Sequence, residues 1–334
     1  MTEEAPTGSP QPVPSAPPPA TRERGAAGTI RMFLELVKFE HSIFALPFAY
    51  IAAMYAAASM EPLVASAAKS STLPANAWVT VDGWPTLSTM IWITLAMVTA
   101  RAFAFVVNRA VDKEIDARNP RTAGRAVPAG LVKAWELWVF SAIMLAVFLL
   151  SVGQLHPVTR WLWPVVLAAF LVYPYTKRYT WLCHFWLGLC LGLAPVGAWT
   201  AVTGDPLAPP AYMLGVAVLL WTVGFDIIYA TQDLECDLRD GVHSVPASFG
   251  VARALVITRV SHALAILLLV GFGLLVVAGW PWYLGVAIAA VLLVYENAIV
   301  SAEDLSRVNA AFFTVNGIIA MVVFGGALAD RILG

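Results

Sequence analysis

Nine apolar runs divide the chain, at about residues 42–59, 88–107, 134–153, 161–176, 181–201, 211–231, 254–278, 281–300 and 310–329. Each is close to the roughly 17–25 residues that a helix needs to cross a bilayer. Of the 334 residues, 60% are hydrophobic and 12% charged, well beyond the roughly 45–50% apolar content of a soluble domain. The sequence therefore predicts an all-α protein: a polytopic membrane bundle of about nine transmembrane helices. The fourth run is short and carries Pro164 and Pro174, so its ends are the least defined.

Charge placement orients the bundle. With a cytoplasmic N-terminus and nine alternating spans, 15 cationic residues fall on the inner side. They include Arg109, Lys113, Arg118, Arg121, Arg125 and Lys133 after the second span, and Lys177 and Arg178 after the fourth. Only Lys69, Arg160 and Arg331 fall outside, while Arg101 and Arg259 lie within spans. Cytoplasmic loops collect Lys and Arg, so this asymmetry supports the count and the direction.

Residues 1–28 are rich in Pro, Ala and Ser and lack the apolar core of a signal peptide. They read as a disordered cytoplasmic tail, and residues 29–334 as one transmembrane domain. From Thr29 an amphipathic helix is expected, bringing Lys38, Glu40 and His41 to the first span. Residues 60–87, with three prolines, read as a loop that has room for a short surface helix. Cys183, Cys190 and Cys236 form no paired motif; the first two read as small core residues.

The chemistry concentrates in two stretches. In RAFAFVVNRAVDKEIDARNPRTAGR, Asn108, Asp112 and Asp116 recur every four residues and share one helix face, with Arg101 seven residues before Asn108. In DIIYATQDLECD, Asp226, Tyr229, Asp233 and Asp237 follow at spacings of three, four and four, again on one helix face, at the end of the sixth span. Both ladders reach the cytoplasmic surface, and carboxylates at the mouth of a membrane helix are costly unless they meet water, a partner or a metal. Glu114, Glu235 and Asp240 lie off these faces and read as solvated loop residues. Gly188 and Gly192 form a small-residue pair suited to close helix packing.

Two facing carboxylate helices suit Mg²⁺, a hard cation that takes oxygen ligands and leaves room for substrate phosphates. Asn108, Asp112, Asp116, Asp233 and Asp237 are the candidate metal ligands. Arg121, Arg125, Lys177 and Arg178 form a basic collar for the oxygens of a diphosphate. With an apolar bundle beside them, these groups point to a lipid diphosphate. Tyr173 and Tyr229 are candidates both for lining the site and for interfacial anchoring. Arg101 is open between a pair with Asp112 and a contact to the diphosphate.

At these residues the chain resembles the UbiA superfamily of intramembrane aromatic prenyltransferases. NRAVDKEID and DLECD match its two aspartate-rich motifs. Arg101 to Asn108, Arg121-Thr122 with Arg125, YPYTKR from Tyr173, the Asp226–Tyr229–Asp233 run and GVHSVPASFG match its flanking patterns. The resemblance covers about residues 30–330. It implies nine helices, Mg²⁺ held by the aspartate motifs, and transfer of a polyprenyl group from polyprenyl diphosphate to an aromatic ring. Asp112, Asp116, Asp233 and Asp237 would be the catalytic residues, and Asn108, Arg121, Arg125, Lys177 and Arg178 the diphosphate ligands. Tyr173, Asp226, Tyr229, Lys38, His41 and Arg101 would line the site.

Within the family the chain is most similar to 4-hydroxybenzoate polyprenyltransferases and related menaquinone-pathway enzymes. Ala126-Val127 stands where Pro-Leu is usual, and His243 where Lys is common. KFEHSIFALPFAY resembles the futalosine-route branch, whose acceptor is a dihydroxynaphthoate. These departures bear on the acceptor, not the reaction. The expected partners are polyprenyl diphosphate, an aromatic acceptor and membrane lipid, with no nucleic acid and no protein partner. The expected location is a bacterial inner membrane, with the site facing the cytoplasm. The competing readings are a haem or chlorophyll side-chain prenyltransferase and, in another class, an ion-coupled transporter.

Overall fold

The computed structural model describes residues 44–69 and 78–334. The tail, the expected amphipathic helix, and Lys38, Glu40 and His41 lie outside the described residues. The described chain is helical apart from one isolated bridge, Val79 to Pro85. Its long helices are α1 (Leu46–Lys69), α2 (Leu87–Val111), α4 (Ala134–Gly153), α5 (Thr159–Thr176) and α6 (Cys183–Thr203). They continue with α7 (Pro209–Ala230), α10 (Val251–Leu275), α11 (Trp280–Ala298) and α12 (Asn316–Leu333). Three short helices complete the list: α3 (Lys113–Arg118), α8 (Leu234–Asp240) and α9 (Val245–Phe249).

Eight of these helices are long and apolar enough to cross a membrane. The ninth, α5, expected from the sequence to span as well, is 18 residues long but carries Arg160, Pro164 and Pro174, which lowers its apolarity, and it falls outside the eight. The protein is an integral multi-pass membrane protein. One correction concerns the first loop: α1 runs on to Lys69, well past the expected end at 59, with Pro62 inside it.

Packing follows the small residues. A side-chain carbon added at Gly188 would lie 2.6 Å from the Leu219 carbonyl, and one at Gly192 2.5 Å from the Gly215 carbonyl. The α6 and α7 backbones approach that closely only because these positions lack a side chain. α7 packs on α10, α11 on α12, and α1 on both α6 and α12, closing one side of the bundle. α2 packs on α4 and α5 on α6, forming the other side. Between them lies a cavity of about 460 Å³.

The two ends of the bundle differ in their polar groups. At one end Arg331 donates to the Gly83 carbonyl (3.2 Å) and sits over Trp84, while Asp330 accepts from Tyr55 and the Gly279 N–H, both at 2.7 Å. At the other end lie both aspartate ladders and the loop cations.

Candidate active site at the mouth of the cavity

Neither ladder is one unbroken helix. α2 stops at Val111, and Asp112 (φ −89°, ψ 5°) joins it to α3. The backbone bonds Asp112 N–H to Asn108 (2.9 Å) and Asp116 N–H to Asp112 (2.8 Å) nevertheless keep the four-residue spacing. The second ladder breaks at a 3₁₀ turn, Thr231–Asp233, between α7 and α8. Gly241, at φ 67°, then ends α8 in the left-handed region that favours glycine. Ser244 caps α9 by accepting from the Ala247 N–H at 3.2 Å.

The cavity brings together Asn108, Asp112, Asp116, Asp226, Asp233 and Asp237 with Arg101, Arg121, Arg125, Lys177, Tyr173 and Tyr229. Arg178 is not among its lining residues. Its guanidinium donates instead to the Val111 carbonyl (2.7 Å), where it caps the end of α2. It stays 3.9 Å from Asp112 Oδ1.

The sequence reading separated a metal-binding acid set from a phosphate-binding base set, but the structure pairs one with the other. Lys177 Nζ donates to Asp112 Oδ2 at 2.6 Å. Asp116 accepts from Arg109 at 3.0 Å and from Arg125 at 3.1 Å. Arg121 clamps Asp233 with two nitrogens, Nε at 2.8 Å to Oδ1 and Nη2 to Oδ2. It also donates to the Tyr229 hydroxyl at 2.8 Å. The physical reason is desolvation: half-buried charges of opposite sign lower its cost by pairing with each other. Burial works against the charge on Arg121, but the hydrogen bonds and charge of Asp233 outweigh it and raise its pKa.

Asp112 is the most enclosed carboxylate of the set, 2% exposed. Burial pushes its pKa up and Lys177 only partly pulls it back. Its Oδ1 is buried without a hydrogen-bond partner. An orphaned carboxylate oxygen in a cavity rich in oxygen donors fits a hard divalent cation. Among the described residues no three His, Cys, Asp or Glu side chains form a ready-made cage.

Several contacts of the site were not assigned from the sequence, although Thr122 and Ser244 stand in the quoted motifs. Asn119 donates to Asp233 Oδ1 at 2.7 Å and so bridges the two ladders. Thr122 fixes its loop by donating to the Asp116 carbonyl at 2.7 Å. Ser244 donates to Asp237 at 2.8 Å. His184 accepts from the Val245 N–H through Nε2 (3.2 Å), which leaves Nδ1 to donate to Asp226 (2.7 Å). An ionisable residue at the start of an apolar run was the available signal for His184. Asp240, expected to be solvated, instead pairs with Arg118 (3.3 Å) and Arg239 (3.0 Å), and Arg239 reaches the Arg118 carbonyl at 2.9 Å. This lattice ties α3 to α8.

Comparison with known proteins identifies the family of the chain. The signature of the UbiA prenyltransferase family matches residues 69–318. A 4-hydroxybenzoate octaprenyltransferase of Pseudomonas fluorescens (strain Pf0-1) is 34% identical over 259 residues, 77% of this chain and 86% of that protein. One from Pseudomonas aeruginosa (strain LESB58) is 32% identical over 256 residues, again 77% and 86%. Among solved structures, the apo UbiA homolog of Aeropyrum pernix K1 superposes with a TM-score of 0.72 at 30% identity, over 87% of this chain and 98% of that one. A UbiA homolog from Archaeoglobus fulgidus, solved bound to DMAPP and Mg²⁺, shares the fold with a TM-score of 0.64 at 18% identity, over 91% and 100%. The chain belongs to the UbiA prenyltransferase family and is an intramembrane prenyltransferase similar to the 4-hydroxybenzoate octaprenyltransferases.

Proposed function

We propose that the protein transfers a polyprenyl group from polyprenyl diphosphate to the ring of an aromatic hydroxy acid, 4-hydroxybenzoate or dihydroxynaphthoate, in quinone synthesis. The observation that carries this reading is the meeting of both aspartate ladders and the basic collar at the mouth of one apolar cavity. The site would face the cytoplasm, the side on which the sequence collects its cations.

Asn108, Asp112, Asp116, Asp233 and Asp237 would hold Mg²⁺ against the diphosphate. When bound, the metal supplies positive charge to a leaving group that becomes more negative as its C–O bond breaks. Lys177, Arg121 and Arg125 would exchange their carboxylate partners for diphosphate oxygens, Arg as a fork and Lys as a point charge. Preorganised charge of this kind is commonly the largest catalytic contribution. Arg101 lines the cavity, and its buried Nε has no hydrogen-bond partner. It is the group we assign to the carboxylate of the acceptor. The ring carbon then bonds to the allylic carbon, and the ring C–H bond gives up its proton. Asp226, held by His184 rather than by a Lys or Arg, is suited to receive that proton.

The test is turnover by the purified protein in lipid vesicles with octaprenyl diphosphate and Mg²⁺, offering each acceptor and identifying products by mass. The expected result is one prenylated acid, lost with EDTA and restored by added Mg²⁺. Absence of product with both acceptors would overturn the reading; ion flux through the same vesicles would then favour transport, and a prenylated porphyrin the haem-type alternative.

A further inference from the structure

A second polar cluster lies behind the cavity wall, between α7, α11 and α12. Glu296 of α11 is fully buried, and its Oε1 accepts from Asn316 Nδ2 at 2.7 Å. Asn316 Oδ1 accepts in turn from Trp221 Nε1 at 2.7 Å. The same Nδ2 donates to the Ala311 carbonyl at 3.0 Å. One amide thus joins α7, α11 and the segment that opens α12. None of Glu296, Asn316 and Trp221 lines the cavity. An acid sealed inside a membrane bundle is costly and marks a function, yet this one cannot touch a ligand in the cavity.

What the cluster grips is a π-helical turn, Ala310–Val315. Such turns are rare and concentrate at functional sites, because the extra residue displaces the regular hydrogen-bond ladder. Here the Asn316 side chain takes up the Ala311 carbonyl. Regularising the turn to α-helix would rotate the residues before it by about 100° relative to α12. In the π form Phe312 lines the cavity and stacks on Tyr229, with ring centroids 4.2 Å apart. The Tyr229 hydroxyl accepts from Arg121, which holds Asp233. The cluster therefore connects, contact by contact, to the mouth of the site.

We propose that Glu296 and Asn316 are positioning residues that lock the π-turn and so keep Phe312 against Tyr229 as a wall excluding water from the reacting end of the donor. The inference rests on the prenyl-transfer reading above. If the wall loosens, water replaces the ring carbon as the nucleophile at the allylic carbon. Octaprenol and a proton are then formed in place of the prenylated acid, with diphosphate leaving in both cases.

The ratio of octaprenol to prenylated acid tests this, because it does not depend on how much of the protein is folded. It is measured on the full chain in vesicles with octaprenyl diphosphate, Mg²⁺ and saturating acceptor. Asn316→Ala is expected to raise the ratio about 10-fold, and Phe312→Ala by a similar factor. Glu296→Met, which keeps the volume but removes the acceptor for Asn316, should also raise it if Asn316→Ala fails to insert. Glu296→Gln, which keeps an acceptor oxygen, should restore the wild-type ratio. A wild-type ratio in Asn316→Ala and Glu296→Met, with Phe312→Ala elevated, overturns the positioning role. A wild-type ratio in Phe312→Ala overturns the wall. A high ratio in Glu296→Gln overturns the hydrogen-bond account. Absence of transfer by the wild-type protein overturns the functional reading itself and this inference with it.

Discussion

The two polar clusters are built on opposite rules. At the cavity mouth Asp112, Asp116 and Asp233 each have a cation within hydrogen-bond reach, and the side chains of Lys177 and Arg121 remain 27% and 30% exposed. Behind the wall, Glu296 and Asn316 are wholly buried and joined by amide and indole donors rather than by Lys or Arg. Half-open ion pairs are individually weak, so an incoming diphosphate and cation can take their partners. A sealed amide network has no such competitor, and breaking it leaves donors unpaired where water cannot reach. The difference separates a region made to exchange partners from a region made to keep them.

Asp233→Asn gives the sharpest way to break this comparison. It should lower prenyl transfer on the order of 10³-fold, with the unfolding midpoint in detergent close to that of wild type. A loss below tenfold, or a large fall in the midpoint, would mean that the mouth is structural. Lys177→Met should lower turnover on the order of 10²-fold, measured at saturating donor, since it removes a cation from the diphosphate collar. Normal turnover would assign Lys177 solely to Asp112.

The buried cluster should respond in the other currency. Glu296→Ala leaves the Asn316 amide without its acceptor and is expected to cost about 1–3 kcal/mol of stability, read from denaturant unfolding of the reconstituted protein. An unchanged unfolding curve would remove the distinction between the clusters. Gly192→Ala sharpens it from outside both: its added carbon meets the Gly215 carbonyl, and overpacking there should cost about 1–3 kcal/mol. Activity per folded molecule should be unaltered; a selective loss of activity would show that the α6–α7 contact shapes the site. The smallest effect is expected for Arg178→Gln. Its guanidinium is engaged at the Val111 carbonyl, so turnover should change less than threefold, and a tenfold fall would place Arg178 on the diphosphate.

Much of the candidate site was legible because it depends on local spacing. Asn108, Asp112 and Asp116 share a face at four-residue intervals whether or not the helix breaks at Asp112, and the structure lines all three along the cavity. The breaks at Asp112 and Thr231–Asp233 were not legible, since no Gly or Pro marks them. His184 and Asp226, 42 residues apart, meet only because α6 packs on α7 through Gly188 and Gly192. Glu296 lies within the apolar run 281–300 and was not singled out from the sequence. Its partner Asn316 and the π-turn between them had no local signature.

The sequence alone determined the all-helical membrane class and the family, and its nine apolar runs correspond to nine long helices, eight of them apolar enough to cross a membrane. Apolar run length, cation asymmetry and carboxylate spacing are local properties that a bilayer reads before any helix meets another. Tertiary structure alone decided which charge neutralises which, and which polar groups are exposed to the cavity or sealed behind it. Those outcomes depend on the approach of helices far apart in the chain, as when Asn119 and Arg121 converge on Asp233. Hydrogen bonds and ion pairs act over a few ångströms, so only the packed bundle could choose among the available partners.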